Sequence, residues 1–62
     1  MNFQIVNMTC SGCVRGVTRA IQAQDPGAVI RADLDTKSVE VTTTVGRKQL
    51  LVALAEAGFT AR

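Results

Sequence analysis

The spacing of hydrophobic positions changes several times along the chain, and each change marks an element. Between Asn2 and Val6, Phe3 and Ile5 alternate against Gln4, the period of a short strand. From about Ser11, Val14, Val17 and Ile21 recur at helical spacing while Arg15, Arg19 and Gln22 fall elsewhere, which predicts an amphipathic helix. It must end before Asp25-Pro26-Gly27, because Pro carries no backbone N–H and clashes with the preceding turn. Ala28 to Leu34 returns to a period of two, with Ala28, Ile30, Ala32 and Leu34 on one side and Val29, Arg31 and Asp33 on the other. Asp35-Thr36-Lys37 reads as a turn, and Ser38 to Thr43 sets Val39 and Val41 against Glu40 and Thr42, so these two strands form a hairpin. Thr44 is then a candidate helix N-cap. Leu50, Leu51, Leu54 and Ala57 make the buried face of a second helix running to a Gly58 C-cap, and Phe59 to Arg62 is left as a short edge strand.

The order β-α-β-β-α-β predicts an α+β, ferredoxin-like sandwich in which two helices cover one face of a four-stranded antiparallel sheet. With 62 residues the chain is expected to be one domain, residues 1–62, with no repeat, linker or low-complexity tract. Only Phe3 and Phe59 are aromatic, so the core is built from Val, Ile, Leu and Ala. A net charge of +2, without basic residues interleaved among exposed aromatics, argues against nucleic acid as a partner. No apolar run approaches the roughly 18 residues of a membrane span, and Met1-Asn2-Phe3-Gln4 lacks the features of a signal peptide. The expectation is a cytoplasmic protein that does not insert into a membrane.

Candidate chemistry gathers in Asn7-Met8-Thr9-Cys10-Ser11-Gly12-Cys13, which holds both cysteines of a chain that has no His, Trp or Tyr. In a reducing compartment the pair points to metal or redox chemistry rather than to a structural staple. Soft thiolates select Cu(I) over hard cations, and two sulfurs can complete a low-coordination site. The helix that starts at the motif would stabilise the resulting negative charge and lower the thiol pKa values, with Arg15 adding to the effect. A thiol-disulfide redox protein uses the same spacing, but such folds are considerably larger and no aromatic or Pro flanks the cysteines here. A structural zinc site normally needs four Cys or His ligands. A cysteine nucleophile would lack a His base, so the chain is not expected to be an enzyme.

With a strand before it and an amphipathic helix after it, Met8-Thr9-Cys10-Ser11-Gly12-Cys13 closely resembles the M-x-C-x-x-C motif of the heavy-metal-associated domain family, and the resemblance extends through Ala57-Gly58-Phe59. That family includes copper chaperones and the N-terminal domains of copper-transporting P-type ATPases. The resemblance implies that Cys10 and Cys13 ligate Cu(I), with Ag(I) or Hg(II) as possible surrogates, and that Met8 fills the core beneath the loop. It also implies transfer by thiolate exchange to the metal-binding domain of such an ATPase, and a possible metal-bridged homodimer. Asn7 stands where the family often has Gly, a mild change given Asn's tolerance of positive φ. Phe59 falls in the loop facing the metal, where it is expected to be a core residue that shields the metal and not a ligand. Uncharged flanks at Thr9, Ser11 and Gly12 favour Cu(I) over zinc. The expected function is a copper chaperone, the free-standing start and lack of linkers weighing for it; the alternatives are an excised ATPase domain or a small redox protein. Arg15 and Arg19, four apart on the helix, form either a docking patch for an acidic partner or a solvated face. Arg47 and Lys48 are read as solvated charge at a helix start.

Overall fold

A computed structural model describes residues 1–62. Five elements follow in order: β1 (Asn2–Gln4), α1 (Ser11–Gln24), β2 (Val29–Asp33), β3 (Ser38–Thr42) and α2 (Arg47–Glu56). The strands form an antiparallel sheet in the order β1-β3-β2, with Phe3 opposite Val39 and Ile30 opposite Val41. β3 is central, and its alternate residues Val39 and Val41 are buried on the face that meets the helices. Phe3, Ile5, Val17, Ile21, Leu50 and Leu54 complete most of that core, each contributing about 1.5–3 kcal/mol of burial. The architecture is the expected α+β ferredoxin-like arrangement.

The connections behave as their residues dictate. Asp33 Oδ1 accepts from the N–H groups of Asp35 and Thr36, at 2.9 and 3.4 Å, which folds the hairpin turn. α1 stops at Asp25, whose carboxylate accepts from the Gly27 N–H at 3.0 Å. α2 ends on Ala57 with Gly58 at φ 94°, the left-handed position that glycine adopts without steric penalty. There the Gly58 N–H donates to the Ala55 carbonyl at 3.0 Å and the Phe59 N–H to the Leu54 carbonyl at 2.9 Å, the paired bonds of a Schellman motif.

Four expectations need correction. The sheet has three strands, not four. Phe59 to Arg62 lies beside β1, where Gln4 and Arg62 exchange backbone bonds of 3.0 and 2.9 Å, but it forms only a single bridge, Ile5 to Ala61. The Val6 N–H also reaches the Thr60 carbonyl at 3.3 Å, but the pairing goes no further, because the Thr60 N–H and the Gly58 carbonyl bond to the Asn7 side chain instead. Thr44 does not cap α2; Gly46 occupies the cap position and makes no side-chain bond. The neighbouring Thr43 hydroxyl instead donates to Asp25 Oδ2 at 2.6 Å and accepts from the Val45 N–H at 3.2 Å. Ala57 is exposed, because the helix ends there and its side chain no longer follows the buried stripe. Arg47 is not merely solvated: its guanidinium lies 4.4 Å from the Phe3 ring centroid and Nη1 donates to the Asn2 carbonyl at 2.7 Å.

Candidate metal centre

The loop between β1 and α1 is pinned from below. Met8 is fully buried in the core, and its N–H donates to the Ile5 carbonyl at 3.2 Å, so the backbone turns tightly and lifts Thr9 and Cys10 to the surface. Met8 thus takes the core-filling place expected of it.

Cys10 is the N-cap of α1, with extended backbone (φ −152°, ψ 170°) and no side-chain capping bond. Its carbonyl accepts from the N–H groups of Cys13 and Val14, at 3.0 and 3.2 Å. At this end of the helix the N–H groups of Ser11 and Gly12 have no intrahelical partner, and the first turn carries no acidic residue. Negative charge on the cysteines is therefore favoured by the positive end of the helix dipole.

Both thiols are free, Cys10 exposed and Cys13 half-buried, with their Sγ atoms 3.5 Å apart. That separation is less than the roughly 4.6 Å spanned by two metal–sulfur bonds of about 2.3 Å, so one soft ion can reach both sulfurs. Hydrogen bonding from the Thr9 backbone, then from the Cys10 thiol and backbone, holds the Cys13 thiol below its ordinary value of 9.0, against a smaller opposing effect of burial. The cause is local hydrogen bonding rather than the charge of Arg15. No cluster of three or more Cys, His, Asp or Glu exists in the molecule.

Arg15 and Arg19 are exposed on α1. Arg15 lines an open groove of about 550 Å³ with Ser11, Val14, Ala32, Leu34 and two acidic neighbours, Asp33 and Asp35. The surface beside the thiols is thus mixed in sign and not a simple basic patch.

Two residues at this end of the molecule carry roles that the hydrophobic pattern did not reveal. Asn7 bonds through its side chain to the Gly58–Thr60 backbone, and its φ is not positive, so the freedom expected of it there is unused. Gly16 lies under Phe59: a Cβ built on it would stand 2.9 Å from the ring Cζ and 3.2 Å from Cε2. A Gly inside an amphipathic helix, disfavoured by about 1 kcal/mol relative to Ala, was the available signal for that close approach.

Comparison with known proteins agrees with this geometry. Residues 2–60 match the family model of the heavy-metal-associated domain. Heavy metal-associated isoprenylated plant protein 45 of Arabidopsis thaliana is 37% identical over 57 residues, 92% of this chain but 34% of that protein, so the chain spans about a third of the length of this curated relative. Among solved structures, a variant of the copper chaperone Atx1 from Synechocystis in a trimeric form matches at 32% identity and a TM-score of 0.97, covering 100% of this chain and 98% of that one. A gold-binding protein matches at 40% identity and a TM-score of 0.96, covering 100% and 95%. The M-x-C-x-x-C loop, the helix that starts on it and the matched span together establish that this chain belongs to the heavy-metal-associated domain family.

Proposed function

We propose that this chain is a cytosolic carrier of Cu(I), a copper chaperone and not an enzyme, that holds the ion between Cys10 and Cys13 and passes it to the metal-binding domain of a copper-transporting P-type ATPase. The observation that carries this reading is the pair of free thiols 3.5 Å apart on an exposed helix N-terminus, with no third ligand beside them. Two thiolates suit a soft monovalent ion, and the same chemistry admits Ag(I) and Hg(II). Similarity to a gold-binding protein adds gold to that class.

Transfer follows from the low coordination. An acceptor thiolate adds to the open ion, one of the two sulfurs on this chain leaves, and a second acceptor thiolate displaces the other. Each step forms one metal–sulfur bond and breaks one, with no change of oxidation state. Exposed Cys10 is the sulfur displaced first, and half-buried Cys13 the one released last. A metal-bridged homodimer is the same chemistry with a second copy as acceptor. No helix of the molecule is long and apolar enough to cross a membrane.

A second reading, in which these residues form one module of a longer protein, is supported by the curated relative, of which this chain covers only 34%; a copper-transporting ATPase would be such a protein. Both readings share the ligands. Mixing the Cu(I)-loaded protein anaerobically with a metal-free heavy-metal-associated domain of a copper ATPase, then separating the two, tests the carrier role. Redistribution of copper to the acceptor within minutes is expected; copper retained on this chain at equilibrium with an excess of acceptor overturns it.

A further inference from the structure

The Asn7 side chain faces the backbone on both sides of Phe59. Nδ2 donates to the Gly58 carbonyl at 2.9 Å, and Oδ1 accepts from the Thr60 N–H at 3.0 Å. A primary amide offers a donor and an acceptor in one plane, so it pairs with this stretch as a neighbouring strand would. The Phe59 N–H is itself held by the Leu54 carbonyl at the end of α2. Backbone groups of three successive residues around one aromatic ring are therefore tied down, two of them by a residue that stands three positions before Cys10.

What these bonds hold in place is the ring on Gly16. Gly16 follows Cys13 by three residues on α1, and positions so spaced lie side by side on one helix face, about 5–6 Å apart. Cys13 and Phe59 also pack against the same core. The ring therefore sits on the helix face that Cys13 shares, one turn along α1 from the half-buried thiol, while Cys10 remains exposed.

We propose that Asn7 is a positioning residue for the thiol pair: acting through Phe59, it keeps the ring on Gly16 and confines the approach of exchanging ligands to the Cys10 side. The inference rests on the carrier reading for the identity of the exchanging ligand, a thiolate-bound soft ion. Its geometric content concerns the metal-free protein and is tested there.

In a Cys10→Ser background Cys13 is the remaining thiol, and the ratio of its alkylation rates by a bulky maleimide and by iodoacetamide reports access, because the thiolate fraction cancels. Asn7→Ala removes both bonds and is expected to raise that ratio at least about fivefold, the change that loss of one net hydrogen bond alone allows, and to abolish the ring-current shift of the Gly16 α-protons. Asn7→Asp, which keeps the acceptor but sets a second carboxylate oxygen against the Gly58 carbonyl in place of the donor, is expected to raise the ratio as well, and it supplies the readout if Asn7→Ala does not fold. In a Phe59→Ala background the ratio is already high and Asn7→Ala adds nothing to it. An unchanged ratio and Gly16 shift, or an equal rise without Phe59, overturns the proposal. Copper stoichiometry is measured separately on the protein with both cysteines, so failure to bind Cu(I) would remove the carrier reading and leave these metal-free readouts standing.

Discussion

The Phe59 ring rests on Gly16, its Cζ 2.9 Å from the point a Cβ would occupy. Ala at this position would gain about 1 kcal/mol of helix propensity, while overpacking against a ring held from both sides costs roughly 1–3 kcal/mol. Gly16→Ala is therefore expected to lower stability by about 1 kcal/mol net, read as a lower urea midpoint at unchanged slope. A rise in the midpoint would show that the ring yields freely.

Met8 is fully buried, which separates its packing role from any role as a ligand. Met8→Leu nearly conserves volume and should cost less than about 1.5 kcal/mol, whereas Met8→Ala leaves a cavity and should cost roughly 2–5 kcal/mol. Copper stoichiometry should be unchanged in Met8→Leu. Its loss in a protein that still folds would make the thioether a ligand.

How far the sequence could be read depends on what kind of signal each feature leaves. Periodicity located both helices and the hairpin, since Val17 and Ile21, or Val39 and Val41, repeat at the spacing of their elements and are buried as that spacing requires. The motif located the thiols, because spacing within one helical turn brings Cys10 and Cys13 together whatever the rest of the chain does. Features joining distant segments were not legible. Asn7 to Thr60, Thr43 to Asp25 and Arg47 to Phe3 are side-chain relationships across 53, 18 and 44 positions, the last a difference of residue numbers, and no local pattern encodes them. The missing fourth strand belongs to the same group, because a four-residue tail bears no periodicity long enough to separate a strand from a single bridge.

The Thr43 hydroxyl, and after it the Gly27 N–H, holds the Asp25 carboxyl below its ordinary value of 3.8. A carboxylate depressed by folding stabilises the native state above its unfolded value. That contribution is lost as pH falls from about 4 through the folded-state pKa. Thr43→Val should move the Asp25 pKa, followed by NMR titration of its side-chain carbonyl, back toward 3.8, and should flatten the dependence of the urea midpoint on pH below 4. An Asp25 pKa indifferent to Thr43 would contradict the assignment.

Arg47 covers Phe3 and bonds to the Asn2 carbonyl, joining the start of α2 to β1. Because Arg47 is exposed, its cation–π contribution lies at the low end, about 0.5–1 kcal/mol. Arg47→Ala should therefore lower stability by about 1 kcal/mol, and Arg47→Lys should recover part of it. Equal unfolding midpoints for the wild-type protein and Arg47→Ala would return Arg47 to the solvated surface.

The proposed carrier uses Cys10 and Cys13 together on one soft ion. Anaerobic titration of the reduced protein with Cu(I) against a colorimetric Cu(I) chelator measures that pairing. One tightly held Cu(I) per chain is predicted, with Cys10→Ser and Cys13→Ser each losing the competition to the chelator. Copper retained by both single variants at wild-type strength would remove the thiol pair as the site.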